Sequence, residues 1–259
     1  MNAVSPWHRA ALCAVLALAA FGIVARAQRG GPPGAARTPQ QAAPVDLTGY
    51  WVSLVTEDWR YRVVTPPKGD YTAVPLSPAG RKAADTWNPA QDEAAGDACR
   101  AYGIGGVMRL PGRLHITWQD DRTLKLETEA GTQTRLLSFA ASSPGAPDWQ
   151  GVSRAMWDRS EPVIGGGFFA PAASPGGSLK VVTTGMKPGY LRRNGVPYSA
   201  SAVFTEYFDR FALPGGDALL VVQTEVVDPT YLSQPFWTST HFKRQADATG
   251  WSPTPCRAQ

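Results

Sequence analysis

The chain has 259 residues, of which 43% are hydrophobic and 18% charged, with 26 Gly and 23 Pro. That is enough apolar content to bury a core and too much to remain unfolded as a whole. The formal net charge of +4 is spread without any Lys/Arg run, which excludes an electrostatic footprint for nucleic acid.

The first residues read as an export signal. Trp7-His8-Arg9 precedes an uncharged apolar run from Ala10 to Ala25, which closes on Ala25-Arg26-Ala27, a small-x-small cleavage pattern. Sixteen residues are short for a membrane span, which takes ~20, so residues 1–27 are expected to be a signal peptide cut before Gln28. The mature protein is then periplasmic or secreted and keeps no integral membrane segment. Arg9 and Arg26 leave with the signal, so the mature chain carries 23 basic against 21 acidic groups. Residues 28–45, QRGGPPGAARTPQQAAP and one more, are rich in Gly, Pro, Ala and Gln and read as a disordered leader. A single domain is expected over residues 46–259.

Order is expected to begin at Asp46-Leu47-Thr48-Gly49-Tyr50-Trp51. Tyr50 to Thr56 reads as a strand and Trp59 to Val64 as a second. Ser77-Pro78 signals a helix start, with Ser77 as N-cap, Pro78 in the first turn and a helix reaching about Trp87. Asn88-Pro89 ends it, and 90–98 adds a short helical turn. From Val107 onward the pattern is strands punctuated by turn residues: 107–110, 113–119, 123–129, 132–140, 178–186, 201–212, 218–227 and 236–243. Short turns between them make antiparallel neighbours. Residues 142–177, with Gly165-Gly166-Gly167, read as one long irregular insertion. About eight to ten strands without a βαβ rhythm imply a mainly β domain, an antiparallel barrel or a sandwich, with a short helix inserted after the second strand.

Gly49-Tyr50-Trp51, opening the first strand after the leader, resembles the G-x-W start of lipocalin-like (calycin-type) barrels. The resemblance implies a barrel over residues 46–244 in which Trp51 plugs the closed end. It also implies a basic residue from the last strand, Arg244 or Lys243, stacked over that Trp by a cation–π contact.

Removal of the signal leaves two cysteines, Cys99 and Cys256, in an oxidising compartment. They are expected to form one intramolecular disulfide tethering a tail stiffened by Pro253 and Pro255; two free thiols or an intermolecular link are the alternatives. Such a bridge stabilises by ~4–5 kcal/mol in the chain-entropy model.

Strand alternation sorts candidate site residues by face. Arg113, His115 and Thr117 share one face, with Trp118 on the other; Glu206 opposes Tyr207; and Trp237, Ser239, His241 and Lys243 lie on one face of the last strand. If the polar faces turn inward, Arg113, His115, Glu206 and His241 meet in a cavity lined by Trp and Tyr; if outward, they are solvated surface. His115 and His241 with Glu206 are the candidate acid–base catalytic set. Arg60, Arg113, Trp118, Tyr207 and Trp237 are the candidate ligand-binding set. Thr56 to Arg62, the densest mixture of charge and rings, forms either the mouth of a site or a surface hairpin. Met186 to Gly195 is a second candidate rim loop, with Asn194-Gly195 as its turn.

No H-x-H or H-E-x-x-H spacing indicates a metal, no G-x-S-x-G elbow is present although Ser239 and His241 share a face, and no cofactor motif occurs. Gly103-Ile104-Gly105-Gly106 precedes a predicted strand and is a poor phosphate cradle. Two functions remain: an exported binding protein for a small apolar or aromatic molecule, or a cofactor-independent lyase, isomerase or hydrolase using a His–Glu pair.

Overall fold

The computed structural model describes residues 36–141, 145–159 and 177–258. The expected signal peptide and the first part of the leader lie outside these residues. The strands are β1 (Gly49–Leu54), β2 (Arg113–Asp120), β3 (Thr123–Thr128), β4 (Ala130–Gly131), β5 (Thr134–Ser138), β6 (Val152–Arg159) and β7 (Gly177–Thr184). They continue with β8 (Gly189–Arg192), β9 (Val196–Tyr198), β10 (Val203–Ala212), β11 (Ala218–Val227), β12 (Phe236–Gln245) and β13 (Thr254–Pro255). Nine of them close into a barrel in the order β1-β12-β11-β10-β7-β6-β5-β3-β2. Closure removes every unpaired edge from the main sheet.

Two features depart from a purely antiparallel barrel with a helix after its second strand. β5 and β6 run parallel, paired only at Leu137 with Ser153 and Ser138 with Arg154. β6 itself falls within the stretch expected to be irregular. The second expected strand is also absent: Trp59 to Arg62 forms a short helix, α1 (Trp59–Arg62). Asp58, in the left-handed region at φ 49°, turns the chain sharply after β1, and its carbonyl accepts from the amides of Tyr61 and Arg62. Asp tolerates that conformation better than most side chains. Inserted helices therefore follow β1: α1, α2 (Pro78–Ala84), α3 (Pro89–Ala94), a 3-10 turn at Ala98–Tyr102 and α4 (Ile104–Val107). Ser77 caps α2 by accepting from the Gly80 amide at 3.1 Å. The strand expected at 107–110 is absent: Val107 ends α4 and 108–110 form a turn. The glycines of α4 admit a close approach, since a Cβ on Gly105 would lie 2.9 Å from the Tyr198 ring.

The barrel wall alternates as its sequence does. Trp51, Leu126, Leu179, Phe208, Leu220 and Phe242 point inward and are at most 1% exposed. They pack into one apolar cluster that fills the lumen toward the end where β1 begins. Here the Trp51 indole donates to the Leu47 carbonyl at 3.0 Å, and the Arg244 guanidinium, the register partner of Trp51, lies 5.9 Å from its ring. Residues 37–45, read from composition as disordered, are laid over this end. The Trp157 indole donates to the Pro39 carbonyl at 2.8 Å, and Arg159 to that of Ala42 at 2.7 Å. Main-chain carbonyls make these contacts, so composition does not report them.

The other end is covered by α2, α4 and the β8–β9 hairpin, which share a second apolar cluster with Phe204, Val226 and Phe236. The hairpin contains the segment expected as an exposed rim; instead Asn194 is fully buried, its amide donating to the carbonyls of Pro67 and Asp70. Arg135 and Glu206 form a bidentate ion pair inside the barrel, with side chains 0% and 1% exposed. Cys99 and Cys256 are disulfide-bonded across 157 residues, and β13 pairs with β4 beside the bridge. No helix among the described residues is long and apolar enough to cross a membrane.

Candidate active site

The expected catalytic set does not come together. Glu206 faces the lumen and is held by Arg135. His115 and His241 stand on the outer face, register partners of Tyr50 and Leu54 respectively on β1. His115 stacks flat on Tyr50 with ring centroids 4.0 Å apart, and its Nδ1 lies 3.2 Å from Glu127. This is a surface ring stack with a carboxylate beside it.

The expected binding residues are likewise dispersed. Arg60, itself exposed, pairs with the largely covered Asp70 at 2.9 Å. Arg113 is engaged by Glu129 at 3.2 Å and by the Gln245 side chain at 3.0 Å. Trp118 joins Phe139 and Trp157 in an aromatic cluster at the covered end of the barrel. Tyr207 faces outward with the Lys180 ammonium 5.5 Å from its ring. Trp237 opens onto a cavity that also holds a histidine's partners.

That cavity, about 380 Å³, is lined by Glu57, Asp58, Gln223, Trp237, Thr238 and Ser239. β12 delivers Ser239 and His241 two residues apart, so the pleat puts both on the outer face. Ser239 Oγ is 3.0 Å from His241 Nε2. On the far side of the ring, His241 Nδ1 is 2.8 Å from Thr56 Oγ1 and 3.2 Å from Glu57 Oε2. The turn at Asp58 aims Glu57 back at the strand.

Hydrogen-bond accounting places a proton on Nδ1. Thr56 Oγ1 donates to Glu57 Oε2 at 2.7 Å, which leaves that hydroxyl an acceptor toward the ring. A carboxylate oxygen also only accepts. Both neighbours of Nδ1 therefore require Nδ1–H, so in the neutral ring Nε2 carries the lone pair that faces the Ser239 hydroxyl. A neutral histidine so held has the geometry of a general base toward a serine hydroxyl, with a carboxylate behind it that would stabilise an imidazolium.

Glu57 is itself positioned from below. Its Oε1 accepts from Arg62 Nη1. Arg62 is buried and anchored by donating to the Arg109 carbonyl at 2.9 Å and to Ser53 Oγ at 3.1 Å. Burial lowers the Arg62 pKa below the usual guanidinium value, and the Glu57 charge opposes that shift. Gln223, directly across from Ser239 in the β11–β12 ladder, contributes a side-chain amide to the same cavity. Trp237, 54% exposed, forms an apolar wall, and α1 presents Trp59 at 66% exposure directly after Asp58.

Sequence reasoning pairs Ser239 with His241 by spacing and marks 56–62 as a site mouth, but does not join them. Glu57 is remote in sequence, and only barrel closure, with β1 beside β12, brings it to the ring. Among the described residues no group of three or more His, Cys, Asp or Glu side chains is placed to hold a metal ion. No protein-family model matches the chain, and neither the curated proteins nor the solved structures contain a match to it.

Proposed function

We propose that this protein is an exported serine hydrolase that cleaves esters carrying an apolar or aromatic group. The observation that carries the reading is the Ser239–His241–Glu57 relay, with 3.0 Å on the serine side of the ring and 3.2 Å on the carboxylate side. Ser239 Oγ attacks the ester carbonyl carbon while His241 Nε2 takes its proton. The carbonyl π electrons move onto oxygen, where the Gln223 amide donates to the developing oxyanion. Collapse expels the alcohol, which takes the proton from His241. Water then attacks the acyl-serine with His241 again as base, releasing the acid and restoring the Ser239 hydroxyl. Trp237 and the cavity beside it seat the apolar group, the small apolar or aromatic molecule that composition suggests as a partner. A single side-chain oxyanion donor suits esters with good leaving groups better than amides.

The signal-like first residues and the Cys99–Cys256 bridge support an extracytoplasmic location. Trp51 with Arg244 over its ring supports reading the barrel as calycin-like. Purified protein is assayed with p-nitrophenyl butyrate, and Ser239→Ala and His241→Gln are each expected to lose at least ~10²-fold in kcat/KM with unchanged melting temperature. Full activity in Ser239→Ala refutes the reading.

A further inference from the structure

The cavity beside Ser239 has a charged side that the hydrolytic reading leaves unused. In the β11–β12 ladder Gln223 stands across from Ser239, and Glu225 stands across from Trp237. Val226 and Phe236 face the lumen and are buried, so their chain neighbours Glu225 and Trp237 share the outer face. Directly opposed residues on one face have Cβ atoms roughly 5 Å apart, which puts the Glu225 carboxylate within reach of the Trp237 ring. On the other side of Trp237, the turn after β1 brings Glu57 and Asp58 into the same cavity.

These carboxylates are not equally occupied. Glu57 is held by Arg62, and Asp58 by Arg109 at 2.6 Å. Both arginines are buried, whereas the Asp58 side chain is 41% exposed. Glu225 is half-buried, and its carboxylate has no hydrogen bond or ion pair among the described residues. The lysines of the same outer face are engaged elsewhere: Lys243 pairs with Asp217 at 2.8 Å, and Lys180 lies 5.5 Å from the Tyr207 ring. Three carboxylates against two guanidinium groups leave one uncompensated negative charge around Trp237.

A free carboxylate beside an exposed indole selects a particular cation. The ring attracts positive charge through its quadrupole, and a cation wrapped in alkyl groups also packs on the indole face. A metal ion needs several oxygen ligands at once, and Glu225 is the one carboxylate here without a cationic partner. Trp237 stands two residues from Ser239, ~7 Å along the strand, so the cation sits a short spacer away from the carbonyl under attack. We infer, resting on the hydrolytic reading, that the substrates are esters of alkylated ammonium alcohols, with the ammonium seated between Trp237 and Glu225. The bonds made and broken are those of the ester hydrolysis above; the ammonium takes no part and departs with the alcohol, which opens the cavity to the water that attacks the acyl-serine.

Choline and 3,3-dimethylbutan-1-ol share a shape and differ in charge. In calorimetric titrations of the mature protein, choline is expected to bind saturably in the millimolar range, about tenfold tighter than the neutral alcohol. Glu225→Gln keeps the shape and removes the charge, and Trp237→Leu removes the ring; each is expected to weaken choline binding about tenfold at an unchanged melting temperature. In turnover, butyrylcholine is expected to exceed 3,3-dimethylbutyl butyrate about tenfold in kcat/KM, a preference that Glu225→Gln abolishes. Equal binding of the two alcohols, or choline binding undiminished in either variant, overturns the inference. Hydrolysis of p-nitrophenyl butyrate with no preference for the cationic ester overturns it too, and leaves the hydrolytic reading standing. Glu225-dependent choline binding without hydrolysis of any ester upholds the cation seat and refutes the hydrolytic reading.

Discussion

Replacing Glu206 by Gln isolates the cost of the buried ion pair. Arg135 and Glu206 meet inside the barrel with their side chains 0% and 1% exposed, Nη1 to Oε1 at 3.0 Å and Nη2 to Oε2 as the second arm. Gln keeps the shape and one acceptor but leaves the guanidinium charge in the lumen uncompensated. Breaking such a pair costs about 3–5 kcal/mol. In a domain of this size each kcal/mol moves Tm by roughly 2–4 °C, so a fall of roughly 6–20 °C is expected. Urea unfolding followed by tryptophan fluorescence, with the disulfide intact, measures the change directly as a lower midpoint at constant slope. The double variant Arg135→Met/Glu206→Leu removes both charges and is expected to recover most of the loss. A cost below ~1 kcal/mol for Glu206→Gln, or no recovery in the double variant, refutes the burial of this pair inside the barrel.

Other consequences are simpler to read. Replacing both Cys99 and Cys256 by Ser opens a bridge spanning 157 residues, and the chain-entropy model gives a loss of about 5 kcal/mol, measured as a lower urea midpoint. Ser77→Ala removes the cap on α2 and is expected to cost about 1 kcal/mol in the same assay. Burial and the hydrogen bond to Asp85 push Tyr71 from near 10 up to about 12, and burial raises Tyr190 and Tyr198 as well. The folded state thus holds these protons more tightly than the unfolded chain. Stability is full below pH 10 and falls as pH rises from 10 through 12; Tyr71→Phe is expected to flatten that fall in alkaline melting curves.

The wall of the barrel was legible because its strands bury one face only. β2, β10, β11 and β12 alternate cleanly, and their turns carry Gly, Pro or Asp. Legibility failed where period and structure part company. Trp59-Arg60-Tyr61-Arg62 alternates like a strand, yet the left-handed turn at Asp58 makes it a helix that buries Arg62. β6 was hidden because its buried positions are Ser153 and Ala155, too small and polar to mark a hydrophobic alternation, and because it is flanked by loop-like sequence. The site failed for a different reason. Glu206 is the acidic residue a strand pattern offers, but its face is the lumen, where Arg135 claims it. The carboxylate that meets His241 is Glu57, brought there by β1 lying beside β12, a pairing that no local signal encodes.

The hydrolytic reading rests on Ser239 being a nucleophile and not simply a hydroxyl beside a histidine. Incubation with a fluorophosphonate probe, followed by peptide mass spectrometry, tests that directly. One adduct on Ser239 is expected, absent from His241→Gln. An unlabelled Ser239, under conditions that fully label a known serine esterase, contradicts the account.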